Sequence, residues 1–307
     1  MSVSSSSARL PGPDPAAGDA HPSHDAQDPS GALGSSPTPS PAALDAPGPA
    51  AIVARLRASG CVFAEDEARL LHAAARTPAE LAAMVERRVA GFPLEQVVGW
   101  AEFHGLRIAV DPGVFVPRRR TEFLVSTAVA LAPARPVVLD LCCGTGALAA
   151  ALGAALDGAE LHAADVDPAA VRCARRNLPT GTVYEGDLYA PLPGALRGRV
   201  DLLAANVPYV PSGDIGLLPQ EARVHEPLVA LDGGTDGLDV LRRVVDGAHE
   251  WLAPGGRLFV ETSRRQAPSA ARAFTLGGLD VRVADSAEFG STVVIGTRPA
   301  GGHTPPR

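Results

Sequence analysis

Three carboxylates and two glycines are spaced in this chain as a small-molecule site would need them. The run Val137-Val138-Leu139-Asp140-Leu141-Cys142-Cys143-Gly144-Thr145-Gly146 reads as an apolar strand that ends in a turn and opens a helix. Glycines in such a turn let the backbone approach a ligand at the strand's carboxyl end, beside a helix amino terminus. Gly144, Gly146 and Ala149 satisfy the G-x-G-x-x-A pattern, and Asp165 ends the next apolar run, where an acid accepts hydrogen bonds from the hydroxyls of an adenosine ribose. A dinucleotide and S-adenosylmethionine both carry that ribose, so the turn alone admits either. Charge separates them. A pyrophosphate must be neutralised, whereas the ammonium and sulfonium of S-adenosylmethionine favour a nearby carboxylate. Asp140, just before Cys142, Gly144 and Thr145, is placed to face such a cationic end, and Asp187 with Leu188, after a third strand, can supply an acceptor to an adenine amino group.

Other reactive side chains form no comparable pattern. Cys61, Cys142, Cys143 and Cys173 make no CxxC pair and no metal-ligand spacing with histidine, so reduced thiols and no metal are expected, with Cys142 and Cys143 as small side chains in a tight turn. His72, His104, His162 and His225 are scattered, as surface or packing residues are.

The elements that must position these groups follow from hydrophobic periodicity. Between Ala50 and Gly91, Ile52, Val53, Leu56, Leu70, Leu71, Leu81, Met84, Val85 and Val89 recur at helical spacing and predict three short helices, the third capped by Thr77 with Pro78 in its first turn. Phe103–Val110 and Gly113–Val116 flank Asp111-Pro112-Gly113 and predict a β-hairpin. A helix from Thr121 to about Leu131 follows. Strands at 137–141, 160–164, 182–184, 201–205 and 257–261 then alternate with helices at 146–156, 168–177 and 236–252, which is the pattern of a doubly wound α/β fold with a parallel sheet. The last two strands, 281–284 and 292–296, have no helix between them, so one must run antiparallel.

At Asn206-Val207-Pro208-Tyr209, directly after the fourth strand, the chain resembles the N-P-P-Y motif of methyltransferases that act on planar nitrogens, both amides and the exocyclic amines of bases. Further stretches are similar to the protein-(glutamine-N5) methyltransferases of the HemK/PrmC type, which modify peptide-chain release factors. They are Pro93-Leu94-Glu95-Gln96 with Gly99, Glu102-Phe103 and Gly105; Phe115-Val116-Pro117-Arg118 leading to Thr121-Glu122; and Glu226-Pro227 through Leu231-Asp232-Gly233-Gly234 to Asp236-Gly237-Leu238. The resemblance spans about residues 50 to 298. It implies a Rossmann-like class I fold, a seven-stranded mostly parallel sheet with an antiparallel C-terminal hairpin, and S-adenosylmethionine as cofactor. It also implies that the Asn206 side-chain oxygen and the Val207 carbonyl accept the two hydrogens of a target NH2, that Pro208 holds the turn, and that Tyr209 packs its ring on the planar amide. Two departures bear on the acceptor: Val207 where the family usually has proline, and Arg118-Arg119-Arg120-Thr121-Glu122 where it has Arg-Pro-Glu-Thr-Glu. The motif alone leaves open a base amine of DNA or RNA, or a cofactor-binding module without catalysis.

Composition favours a protein acceptor, a release factor on the resemblance. The 307 residues carry a formal charge of −7, whereas gripping nucleic acid by bulk electrostatics needs a basic face. No run approaches a membrane span and the first fifty residues lack a secretory signal's apolar block, so a cytoplasmic, monomeric protein is expected. The expected organisation is a disordered Ser/Pro/Ala-rich tail at 1–48, a helical substrate-recognition domain at 49–104, a hairpin linker at 105–120, a methyltransferase domain at 121–298 and a short disordered tail at 299–307.

Overall fold

Apolar runs bounded by turn residues set the frame of the molecule, and the computed structural model describes residues 48–301 of it. The expected tails fall almost wholly outside the described residues. The described residues open with α1 (Pro49–Ala58), α2 (Ala64–Ala74) and α3 (Pro78–Val89), the three expected helices. Thr77 caps α3 as its sequence position predicts, its Oγ1 accepting from Glu80 N at 3.1 Å. Ile52, Leu56, Leu71, Leu81, Val85 and Val97 bury one small core among them. Val97 belongs to α4 (Leu94–Val98), which periodicity could not predict because it is too short to repeat.

The hairpin turns elsewhere than expected. Its strands are β1 (Trp100–Phe103) and β2 (Leu106–Ala109), and the reversal falls on His104 and Gly105, both at positive φ (50° and 74°), as a tight two-residue hairpin turn requires. Asp111-Pro112-Gly113 does make a turn, with Val114 N donating to Asp111 O at 3.2 Å. The segment after it is held by side chains and not by a ladder: Gln96 Nε2 donates to Val114 O at 3.0 Å, and Glu226 Oε1 accepts from Val116 N at 3.2 Å.

A seven-stranded sheet then runs in the order β5-β4-β3-β6-β7-β9-β8, built from β3 (Val137–Leu141), β4 (Glu160–Asp165), β5 (Thr182–Glu185), β6 (Val200–Ala205), β7 (Leu252–Thr262), β8 (Asp280–Ser286) and β9 (Ser291–Thr297). β3 to β7 are parallel, and β9 pairs antiparallel with both neighbours because residues 287–290 are too few to cross the sheet. Both sheet faces are covered. Leu139, Leu203, Leu258 and Val260 pack against α9 (Asp239–Trp251) and α10 (Ala267–Leu276), while Val138, Leu202, Ala204 and Phe259 pack against α5 (Glu122–Ala130) and α6 (Ala147–Ala155). Strand period two thus sorts alternate residues to opposite helical layers. α7 (Pro168–Asn177) covers β4 and β5 through Val171 and Ala174.

The chain order reverses between β3 and β6. Their carboxyl-end loops, Cys142–Gly146 and Asn206–Tyr209, therefore diverge around one crevice, where doubly wound sheets bind ligands. Among the described residues no helix is long and apolar enough to cross a membrane.

Candidate active site

Polar loop residues at the end of β3 have no ladder partners, so the turn bonds to its own side chains and neighbours. Cys142, Gly144 and Gly146 all take positive φ (56°, 55° and 75°), and the turn folds back under the start of α6. Four amides of the turn and the helix start are paired within the protein: Cys143 N donates to Ala164 O (3.1 Å), Gly144 N to Asp165 Oδ2 (2.8 Å), Gly146 N to Cys143 O (2.7 Å) and Ala149 N to Asp140 Oδ2 (3.1 Å).

A cavity opens above the turn, with Cys142, Gly144, Thr145, Asp165, Asp187, Leu188, Asn206 and Pro208 in its wall, together with Val166 and Arg243, which the sequence reading missed. Asp165 also fixes the turn, since its Oδ1 accepts from Asp167 N at 2.9 Å. Burial raises its carboxyl above the usual range, against the two amide bonds that pull it down. Asp187 pairs with Arg243, whose NH2 lies 2.5 Å from Oδ2, both side chains being about half exposed. The ribose and adenine acceptors expected at Asp165 and Asp187 thus share one cavity with Asn206. The acids outnumber the cations here, which fits an ammonium and a sulfonium.

Two of the expected residues do not line this cavity. Gly146 sits behind it, where a Cβ would come within 3.1 Å of Ala174 Cβ, so its glycine serves the packing of α6 on α7. Asp140 is fully buried beneath the turn, with Oδ1 lacking any hydrogen-bond partner among the described residues. Its other oxygen holds Ala149 N, and the side chain does not face the cavity. Burial is the main cause that pushes its carboxyl up to about 8, from 3.8 for the free side chain. The folded state therefore holds this proton more tightly than the unfolded chain, and the stability this group contributes, whole below about pH 4, is lost as pH rises toward 8. Asp140→Asn is expected to flatten the fall of Tm between about pH 4 and pH 8, a slope read by calorimetry at several pH values; parallel wild-type and variant curves would show that Asp140 titrates normally.

The motif after β6 forms the wall between that cavity and a second pocket. Asn206 faces both; Val207 and Tyr209 line the second pocket, and Pro208 the first. Asn206 Nδ2 donates to Thr121 Oγ1 at 3.4 Å, which orients the amide. Among the described residues no donor bonds Asn206 Oδ1 or the Val207 carbonyl. Two unpaired acceptors therefore stand at the junction. Arginines and carboxylates frame the second pocket in pairs: Arg118 NH2 with Glu226 Oε1 at 2.5 Å, and Arg120 Nε with Glu261 Oε1 at 3.0 Å. Arg120 also bonds the Tyr209 hydroxyl and lies over its ring, 5.7 Å from the centroid. Burial, chiefly, raises the Tyr209, Glu226 and Glu261 groups above their ordinary values. The sequence reading treated Arg118–Arg120 as a departure; the pairing shows two of these arginines neutralised inside the site.

A glycine loop supports the motif from below. A Cβ at Gly237 would lie 2.2 Å from Tyr209 O, and one at Gly233 would lie 2.6 Å from Pro208 O. Gln266 Nε2 bridges Tyr209 O (2.9 Å) and Asp236 O (3.0 Å). Sequence alone marked Gly233 and Gly237 by resemblance, without this reason, and nothing in the local sequence signals Gln266. Gly237→Ala must push the motif backbone away, at positive φ as well (75°). Transfer is expected to fall at least tenfold, with Tm lowered by several degrees; stopped-flow turnover and thermal denaturation check both.

Residues 105–215 match the family model of the methyltransferase small domain. The chain is 40% identical to the release factor glutamine methyltransferase of Geobacter sulfurreducens, over 66% of this chain and 72% of that one. It is 41% identical to the protein of that name from Mycolicibacterium smegmatis, over 69% of this chain and 78% of that one. A third of the same name, from Bradyrhizobium diazoefficiens, is 35% identical over 75% of this chain and 86% of its own.

Proposed function

From the premise that the chain belongs to the release factor glutamine methyltransferase family, we propose that it methylates the side-chain amide nitrogen of a glutamine in a peptide-chain release factor. S-adenosylmethionine supplies an electrophilic methyl group when bound. The observation that carries the reading is the pair of unpaired acceptors, Asn206 Oδ1 and the Val207 carbonyl, at the junction of a cofactor cavity and an acceptor pocket.

An amide nitrogen is a poor nucleophile because its lone pair is delocalised into the carbonyl. Two acceptors that take its two hydrogens fix its orientation and stabilise the positive charge that grows on nitrogen as it is alkylated. The nitrogen loses a proton after alkylation, so no strong general base is needed. Thr121 Oγ1 accepts from Asn206 Nδ2 and so fixes which way the Asn206 amide is turned. A valine at 207 keeps the backbone carbonyl that a proline would offer there. Arg118 and Arg120 are each offset by a buried carboxylate, so the pocket presents no net cation to a phosphate, which favours a polypeptide over a base amine.

The test is to incubate the enzyme with methyl-labelled S-adenosylmethionine, a bacterial release factor and, separately, bulk RNA and DNA. Label on one glutamine of the release factor, mapped by peptide mass spectrometry, is expected. Label in nucleic acid with none in the release factor would overturn the reading.

A further inference from the structure

Asn206 can serve as an acceptor only while its oxygen faces the pocket, because an amide turned half over would set its NH2 against the NH2 of the substrate. Sheet register brings the groups that decide this together. Ala205 pairs with Val260 across β6 and β7, so Asn206 and Glu261 follow one step on, side by side at the carboxyl ends of neighbouring strands. Phe259, two residues before Glu261, packs toward α5, and Thr121 is the residue immediately ahead of that helix.

The contacts among these three residues run in one direction. Asn206 Nδ2 donates to Thr121 Oγ1 at 3.4 Å. Burial raises the Glu261 carboxyl, and a hydrogen bond from the Thr121 side chain is the first of the contacts that pull it back down. Arg120 Nε, donating to Glu261 Oε1 at 3.0 Å, is another. Thr121 and Glu261 are 3% and 2% exposed, so water has little access to either. A hydroxyl has a single proton, and an ionised carboxylate can only accept. With its proton given to Glu261, the Thr121 oxygen is left to accept, and an accepting oxygen holds the Asn206 amide by its NH2.

We propose that Glu261 is a positioning residue, which through the Thr121 hydroxyl fixes the Asn206 oxygen toward the acceptor pocket and so makes the pocket select glutamine, a donor of two hydrogens, over glutamate of nearly the same shape. The inference rests on the glutamine acceptor proposed above. Glu261 itself touches neither substrate nor cofactor in this arrangement; its effect passes through Thr121.

The test is a double-mutant cycle on the full chain with S-adenosylmethionine and saturating release factor. Thr121→Val and Glu261→Gln are each expected to lower kcat roughly tenfold, and the double variant to fall about as far as one of them, because both break the same link. Glu261→Leu removes the acceptor outright and forms a second cycle with the same expectation. Calorimetric affinity for S-adenosylmethionine reports that each variant is folded. A role in packing or bulk charge alone would multiply, so a double variant about 100-fold down overturns the relay and leaves the proposed function standing, as does unchanged kcat in the single variants. The second readout is inhibition by a release factor whose methylated glutamine is replaced with glutamate. In Thr121→Val no charge changes, yet the freed Asn206 can turn its NH2 to the carboxylate, and inhibition is expected to strengthen about tenfold over wild type; unchanged inhibition overturns the relay too. Wild-type enzyme that labels nucleic acid and no polypeptide overturns the function, and the relay with it.

Discussion

Replacing Asn206 with alanine is expected to lower the single-turnover rate of methyl transfer by about 10²–10³ while leaving S-adenosylmethionine affinity within a few fold. The two effects separate because of where the side chain stands. Asn206 is one of many residues around the cofactor cavity, but it also lines the acceptor pocket, and its Oδ1 has no hydrogen-bond partner among the described residues. Losing it leaves one NH2 hydrogen without a partner and lets the amide rotate, which removes orientation and charge stabilisation together. Substrate binding depends on the whole pocket and should change less than the chemical step. Thr121→Val offers a graded control: it removes the hydroxyl that holds Asn206 Nδ2 but keeps the acceptor. Full activity in Asn206→Ala, measured with radiolabelled donor at saturating release factor, would show that the amide is oriented by something else.

Asp165→Ala carries the largest expected effect on cofactor binding. Its carboxylate faces the cavity and at the same time accepts from Gly144 N at 2.8 Å and Asp167 N at 2.9 Å. Alanine removes the acceptor proposed for the ribose hydroxyls and releases two amides that hold the turn in shape. A lost charged hydrogen bond contributes about 1.5–3 kcal/mol, so titration calorimetry should show affinity for S-adenosylmethionine weakened by roughly 10- to 100-fold. Asp165→Asn keeps one acceptor oxygen and should recover part of the loss. An alanine variant that binds the cofactor as tightly as the wild type would place the ribose elsewhere in the cavity.

Local sequence determined those elements whose residues satisfy a single period over their whole length. β3 is apolar at nearly every position and α7 opens with Asp167 as cap and Pro168 in its first turn, so both lie where periodicity and capping place them. The carboxyl-end loops after β3 and β6 were legible because glycines and an asparagine directly after an apolar strand mark a place where the backbone can approach a ligand. α4 and α8 (Gln220–His225) escaped because they are too short to show a repeat, and α10 was not predicted either. What only the tertiary structure decided is which of the marked residues meet. Asp140 and Asp165 look alike in sequence, yet one is sealed under the turn and the other opens on the cavity, because strand ends differ in what packs over them. Gly146 proved to be a packing glycine, Gly237 a support for Tyr209, and Arg120 a partner of Glu261 across 141 positions of chain. Such contacts join segments distant in sequence, and no local pattern of residue types encodes them; they exist only once the sheet has brought its loops to one edge.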